Sequence, residues 1–174
     1  MSLKEILSLF RPEDSLAVPL ATGQPMGLLN ALSEKSDWKR LEIFTGLLAF
    51  PYPILMSPNV SVTSGYYGPV ERALNEGGSR IDYLPADFTG FEIYQRKKPS
   101  RIIATTLSSP DADGNLTFGT HGAAVYRPFV EACRDPKRIA IAEINPRMPI
   151  VYGHADYGDN KIPIKEVPYL FESD

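Results

Sequence analysis

Sixteen prolines run from Pro12 to Pro168, about 9% of the chain against a usual share of roughly 5%. Proline lacks the N–H that a helix interior or a central strand requires, so each one ends, starts or caps an element. A chain punctuated in this way can be built only from short elements joined by many turns. A long coiled coil and a helical repeat array are excluded. The 174 residues suit a single domain large enough to bury a core without staples. With 43% apolar and 22% charged residues, the composition is that of an ordinary globular protein.

Between the prolines, strand and helix patterns alternate. Residues 15–21 (SLAVPLA) read as a buried strand and 24–35 (QPMGLLNALSEK) as a helix, with Leu28, Leu29 and Leu32 on one face. Residues 41–48 and 60–67 read as further strands, and 49–58, with three prolines, as an irregular loop. The next helix opens at Pro69 and closes at Gly77–Gly78. A short strand (80–86) precedes a helix capped by Asp87. The β-branched run at 100–108 and the apolar run at 137–145 are the clearest strands. A turn and an extended piece (110–119) and a helix around Pro128 lie between them. The chain begins with a short amphipathic helix carrying Leu3, Ile6, Leu7 and Phe10, and from Pro146 onward it is again rich in Pro and Gly. Strands separated by helical segments imply βαβ units and a parallel sheet. Right-handed crossovers place helices on both faces, and the continuous apolar strands fit burial on both sides. The expected fold is α/β: an open, mostly parallel sheet in a three-layer α/β/α sandwich.

Charge and cysteine narrow the function. Lys plus Arg number 18 and Asp plus Glu 21, a net charge of −3, which leaves no basic excess for nucleic acid. Arg96, Lys97, Lys98 and Arg101 form the one basic cluster and read as a solvated helix end. No apolar run reaches the ~18 residues that span a bilayer, and the N-terminus has no leader pattern. Cys133 is the sole cysteine, so no internal disulfide can form. A reducing, cytoplasmic setting is expected, with Cys133 as a small buried apolar group near a helix end. His121 and His154 are the only histidines, and no zinc-ligand spacing occurs.

Ligands of such sheets bind beyond the carboxyl ends of the strands. The segments there are 22–25 (TGQP), 45–46 (TG), 64–69 (SGYYGP), 84–88 (LPADF), 108–114 (SSPDADG) and 145–149 (NPRMP). None is a Walker loop, and no G-x-G-x-x-G occurs. The TGQP turn offers backbone N–H groups to an anionic or carbonyl oxygen, or is an ordinary βα turn. Asp111 and Asp113 share one turn with Gly114, either as functional carboxylates or as an Asx turn. Asn145–Pro146 makes a rigid corner that presents Asn145 or Glu143, or simply ends the strand. His121 follows Gly119–Thr120 in a turn, and His154 lies in a segment whose pattern places it nowhere.

Taken in order, TGQPMGLLNAL, GYYGPVERALNEG, IDYLPADF, LSSPDADGNLTFGTHG and IAEINPRMPIVYGHADYGD resemble the N-terminal half of the acetyl-CoA hydrolase/transferase family, which includes 4-hydroxybutyrate CoA-transferases. The family's G-x-P helix start, Ser-Pro-Pro-Asp-x-x-Gly turn and Asn-Pro-x-Met-Pro corner match Gly23–Pro25, Ser108–Asp111 with Gly114, and Asn145–Pro149. Ser109 stands where that turn has its first proline, and YGHADYGD replaces the usual Gly-Asp-Ser stretch. The resemblance spans about Ser15 to Asp174.

The resemblance implies a NagB/RpiA/CoA-transferase-like fold. Residues 1–174 would then be one α/β domain, the N-terminal half of a two-domain enzyme. The glutamate that forms the glutamyl-CoA thioester would belong to a C-terminal catalytic domain, so no catalytic residue is assigned here. Coenzyme A enters as substrate, with no resident cofactor and no metal. The partners are an acyl-CoA, a small carboxylate and that second domain, with a homodimer as a further possibility. Thr22, Gly23, Gln24, Pro25, Ser108, Ser109, Pro110, Asp111, Gly119, His121 and Asn145 would form one wall of the cleft and position the carboxylate or acyl group. Two other readings stay open. One is a small sugar-phosphate isomerase of the same fold, with Asp111 or Asp113 as base and Lys137 on the phosphate. The other is a non-catalytic domain that binds acyl-CoA or a carboxylate.

Overall fold

The computed structural model describes residues 1–85 and 87–172. Ala86, within the expected 84–88 loop, and Ser173–Asp174, at the end of the resemblance, lie outside the described residues.

The strands β1 (Glu13–Ala17), β2 (Arg40–Thr45), β3 (Val60–Ser64), β4 (Arg80–Tyr83), β5 (Ile102–Leu107), β7 (Ile139–Ile144) and β9 (Tyr169–Glu172) form one parallel sheet in the order β4-β3-β2-β1-β5-β7-β9. The chain starts at β1 and moves outward to β4. It then crosses back to lay β5 on the other side of β1. The progression therefore reverses between β1 and β5. At that seam only Leu16 with Ile102 and Ala17 with Ile103 are in register among the described residues. By contrast β5 and β7 run together from Ile102–Ile139 to Leu107–Ile144.

Residues alternate across the sheet, and each side has its own core. Leu16, Ile43, Ala104 and Ile141 face α1 (Leu3–Leu7), α2 (Met26–Leu32) and α3 (Pro69–Glu76), meeting Ile6, Leu28, Leu29, Leu32 and Leu74. Ala17, Phe44, Ile103, Ala140 and Ala142 face α4 (Phe88–Lys97) and α5 (Tyr126–Arg134), meeting Phe91, Phe129 and Ala132. This is the expected three-layer arrangement. The α4 side is not covered to its edge, however. Beyond Phe44, the residues Glu42, Ser61, Thr63 and Asp82 line a polar groove of about 500 Å³.

Element ends follow local chemistry. β1 begins at Glu13 and stops at Ala17, earlier than expected, because Pro19 cannot extend a ladder. β2 likewise ends at Thr45 rather than 48. The 49–58 loop contains a short 3-10 turn at Pro53–Met56. Asp87 caps α4, accepting from the N–H of Gly90 at 2.7 Å. Pro128 falls in the first turn of α5, where its missing N–H costs nothing.

Three features depart from the sequence reading. Residues 115–117 form β6 (Asn115–Thr117), which pairs antiparallel with β8 (Lys161–Pro163) in a small second sheet. The Pro-rich tail supplies β9, an edge strand parallel to β7. Arg101 is no helix-end charge. Its guanidinium pairs with the buried carboxylate of Asp14 and donates to the carbonyl of Leu9 at 2.8 Å. Its backbone N–H also donates to Ser15 Oγ at 2.9 Å. Arg101 thereby pins the base of the β1–β5 seam.

Candidate functional site

The reversal between β1 and β5 opens a crevice at the carboxyl ends of β1, β5 and β7, where sheets of this kind bind ligands. Three segments distant in sequence meet there. The loop after β1 turns through Ala21–Gly23 and enters α2. Thr22 Oγ1 lies 3.2 Å from Thr120 Oγ1. Thr106 Oγ1 donates to the carbonyl of Gln24 at 3.0 Å, and Thr105 Oγ1 sits 3.0 Å from His121 Nε2. The expected TGQP, SSPDADG, GTH and NPRMP segments are thus brought to one end of the sheet.

Most of the expected residues hold the crevice together. Gln24 is buried. Its Nε2 donates to the Leu47 carbonyl at 2.9 Å and to Thr45 Oγ1, and its Oε1 accepts from Ala49 N–H and Tyr52 OH. Ser108 is buried too. Its Oγ donates to Ser109 O at 2.9 Å and accepts from Thr117 N–H at 2.9 Å, which closes the turn that carries Ser109 and Pro110. Asp111 accepts from the N–H of Asp113 at 3.0 Å and of Asn115 at 2.8 Å, and from Tyr152 OH at 3.2 Å. These donors, the Asn115 N–H foremost, hold its carboxyl below the usual range. A carboxylate so engaged is an Asx-turn anchor and a poor base. Lys137 lies in the turn before β7, at the opposite end of the sheet from Asp111. The pair drawn for an isomerase therefore does not meet.

His121 lies beneath the crevice, 1% exposed. Burial pushes its imidazole down to about 4, which keeps the ring neutral. Gly119 takes a φ of +52°, and Met148 of the 145–149 corner packs against it. The carbonyl of Gly119 accepts from Asn160 Nδ2 at 2.9 Å. Asn145 Oδ1 accepts from Arg147 N–H at 2.9 Å, and Asn145 O from Met148 N–H at 2.9 Å. His154 falls on a small exposed turn, bridged to Gly158. Cys133 is half-buried rather than buried, and burial raises its thiol to about 12.

The cleft has a volume of about 700 Å³. Of the expected residues, Thr22, Gln24 and Asn145 line it, joined by Asn30, Thr106, Glu143, Arg147 and Glu172. Glu143 is the residue whose weight the sequence reading missed. Its carboxylate is buried and accepts from the N–H groups of Gly27 and Leu28, each at 3.0 Å. It thus fills the N-terminal end of α2, the place where the TGQP turn was expected to receive an external oxygen. The signal was present: a charge inside the apolar run IAIAEI requires buried partners. Glu71 does parallel work nearby, accepting from Leu48 N–H, Ser64 Oγ and Gly68 N–H to tie the loops after β2 and β3.

Comparison with protein-family models and with curated proteins finds no match. Solved structures do match over nearly the whole chain. RipA from Yersinia pestis superposes with a TM-score of 0.80 at 23% identity, over 99% of this chain and 42% of that one. A 4-hydroxybutyrate CoA-transferase from Porphyromonas gingivalis gives a TM-score of 0.64 at 17% identity, over 99% of this chain and 38% of that one. A variant of the decarboxylase AibA/AibB gives 0.60 at 12% identity, over 99% of this chain and 82% of that one. The chain spans about two-fifths of the length of the first two. At these identities the likeness is one of architecture: this chain shares the open parallel α/β fold of the portions it matches.

Proposed function

We propose that this chain is the N-terminal domain of an acyl-CoA:carboxylate CoA-transferase or acyl-CoA hydrolase, and that its strand-end cleft forms one wall of the active site. The observation that carries the reading is the convergence of the TGQP turn and the NPRMP corner on one cleft at the β1/β5 reversal, with the SSPDADG turn at the same end of the sheet. The likeness to a 4-hydroxybutyrate CoA-transferase over 99% of the chain supports it. The nucleophilic glutamate would come from a second α/β domain. Its carboxylate would attack the thioester carbonyl and expel CoA thiolate, leaving a mixed anhydride. The thiolate would then attack the glutamyl carbonyl of that anhydride, releasing the acyl group as a free carboxylate and leaving a glutamyl-CoA thioester. An acceptor carboxylate, or water in a hydrolase, would complete the turnover. In this scheme Thr22, Asn145 and the backbone around Gly23 hold the acid or acyl group against the incoming nucleophile. Exposed Tyr67, Tyr83 and Phe88 near β4 offer apolar surface for the second domain or a second copy. A cytoplasmic setting, expected from the single cysteine, goes with this reading.

The test is exchange of labelled acetate into a short acyl-CoA. It is run with the chain alone and with a separately produced second domain bearing the glutamate. The expected result is no turnover alone and, with both, glutamate-dependent exchange, or glutamate-dependent release of free CoA where water is the acceptor. Full turnover by the chain alone, or none with both, overturns the reading.

A further inference from the structure

We infer that Arg147 is the anchor for the carboxylate of the small-acid substrate, a specificity role that rests on the function proposed above. An α/β sheet ordinarily offers an anion the N–H groups of the helix that follows its first strand. Here those donors are taken, since Gly27 and Leu28 both give their N–H groups to Glu143. An acid entering the cleft must find its charge partner elsewhere. Among the described residues, Arg147 is the one lysine or arginine that lines this space.

Its setting suits the task. Arg147 sits between Pro146 and Pro149, and its N–H donates to Asn145 Oδ1 at 2.9 Å, so the backbone that carries the side chain is fixed while the guanidinium stands exposed. A guanidinium presents a planar fork of donors that matches both oxygens of a carboxylate, which an ammonium cannot do. Asn30 and Thr22 line the same space and supply polar groups for a hydroxyl further along the ligand. Two carboxylates also face the cleft. Glu143 is answered by the helix donors, whereas Glu172, at the end of β9, opposes a bound anion. The volume of about 700 Å³ falls within the range of small-molecule sites, roughly 300–1,000 Å³.

The experiment is an amide NMR titration of the full chain with sodium butyrate, and with 1-butanol as the uncharged counterpart. It is repeated on Arg147→Gln, Arg147→Lys and Glu172→Gln, with the unperturbed amides reporting an intact fold. Butyrate is expected to shift Gly27, Asn145 and Met148 saturably, and butanol to leave them unmoved. Arg147→Gln should weaken butyrate about tenfold or more. Arg147→Lys should recover part of that loss, and Glu172→Gln should tighten binding. The inference is overturned if Arg147→Gln binds within twofold of the parent, if butanol binds as well as butyrate, or if butyrate produces no saturable shift at the cleft. The two-domain exchange assay above separates the two claims. Arg147-dependent butyrate binding without exchange or CoA release by the two domains together keeps the anchor and removes the CoA reading. Exchange or CoA release by the two domains that is indifferent to Arg147→Gln does the reverse.

Discussion

The imidazole of His121 occupies the space in which a side chain at residue 23 would stand: a β-carbon on Gly23 would lie 2.1 Å from His121 Cδ2 and 2.5 Å from Cγ. Both groups are buried beneath the crevice, so neither can yield without moving a loop. Gly23→Ala should therefore destabilise the fold by about 1–3 kcal/mol, the usual cost of overpacking. His121→Ala removes the obstruction. In urea denaturation the double variant should lose clearly less than the sum of the single losses. Additive losses would mean that the two groups do not compete for that space.

His121 also sets a pH dependence. In the unfolded chain its imidazole titrates near 6.5, and in the fold burial holds it to about 4. Between those values the unfolded chain binds the extra proton, so stability falls as pH drops through this window and levels off below it. The full effect is about 3 kcal/mol. It is measured as the difference in unfolding free energy between pH 7 and pH 4.5, with His121→Gln as the reference that cancels the carboxylates. Equal pH dependence in the two proteins would remove His121 as the cause.

Glu143→Gln keeps the shape of the side chain and removes its charge. An amide offers one acceptor where the carboxylate offered two, and turns an NH2 toward a backbone N–H. A cost of about 2 kcal/mol is expected from losing one charge-assisted bond at the positive end of α2. Hydrogen exchange should report it first at Gly27 and Leu28. Unchanged protection at both amides would contradict the pairing.

Cys133 should be chemically silent in the native protein. With burial, and secondarily Glu166, raising its thiol to about 12, the thiolate fraction at pH 8 is roughly a thousandfold below that of a free cysteine. Mass spectrometry after iodoacetamide treatment should find it unlabelled in buffer and labelled in urea. Equal labelling rates would show an open thiol.

Local signals made much of this fold readable. The β-branched run of β5, the Pro69 and Gly77–Gly78 boundaries of α3, and the Asp87 cap each depend on neighbours in sequence. What stayed hidden depends on distant pairing. β9 contains little more than a short YLFE run after Pro168 and becomes a strand because β7 lies beside it. Arg101 resembled a helix-end charge until Asp14, 87 residues away, claimed it. The same divide runs through the site. The strand-end rule located the cleft, but it did not separate side chains that brace the loops, such as Ser108 and Asp111, from those that face the space, such as Arg147.

The narrow seam between β1 and β5 has a mechanical consequence. The sheet is two panels, β1–β4 on one side and β5, β7 and β9 on the other, fastened at the bottom by Arg101 and Asp14 and joined by two registered residue pairs among those described. They are tied at the top by Thr106 to the Gln24 carbonyl and by Glu143 to the start of α2. At the top the cleft opens between them, bridged on its inner side by these bonds. Thr22, on the first panel, and Arg147, on the second, stand on opposite leaves. A ligand that touches both would act as a clasp, and its grip would be felt as stiffening of the whole sheet.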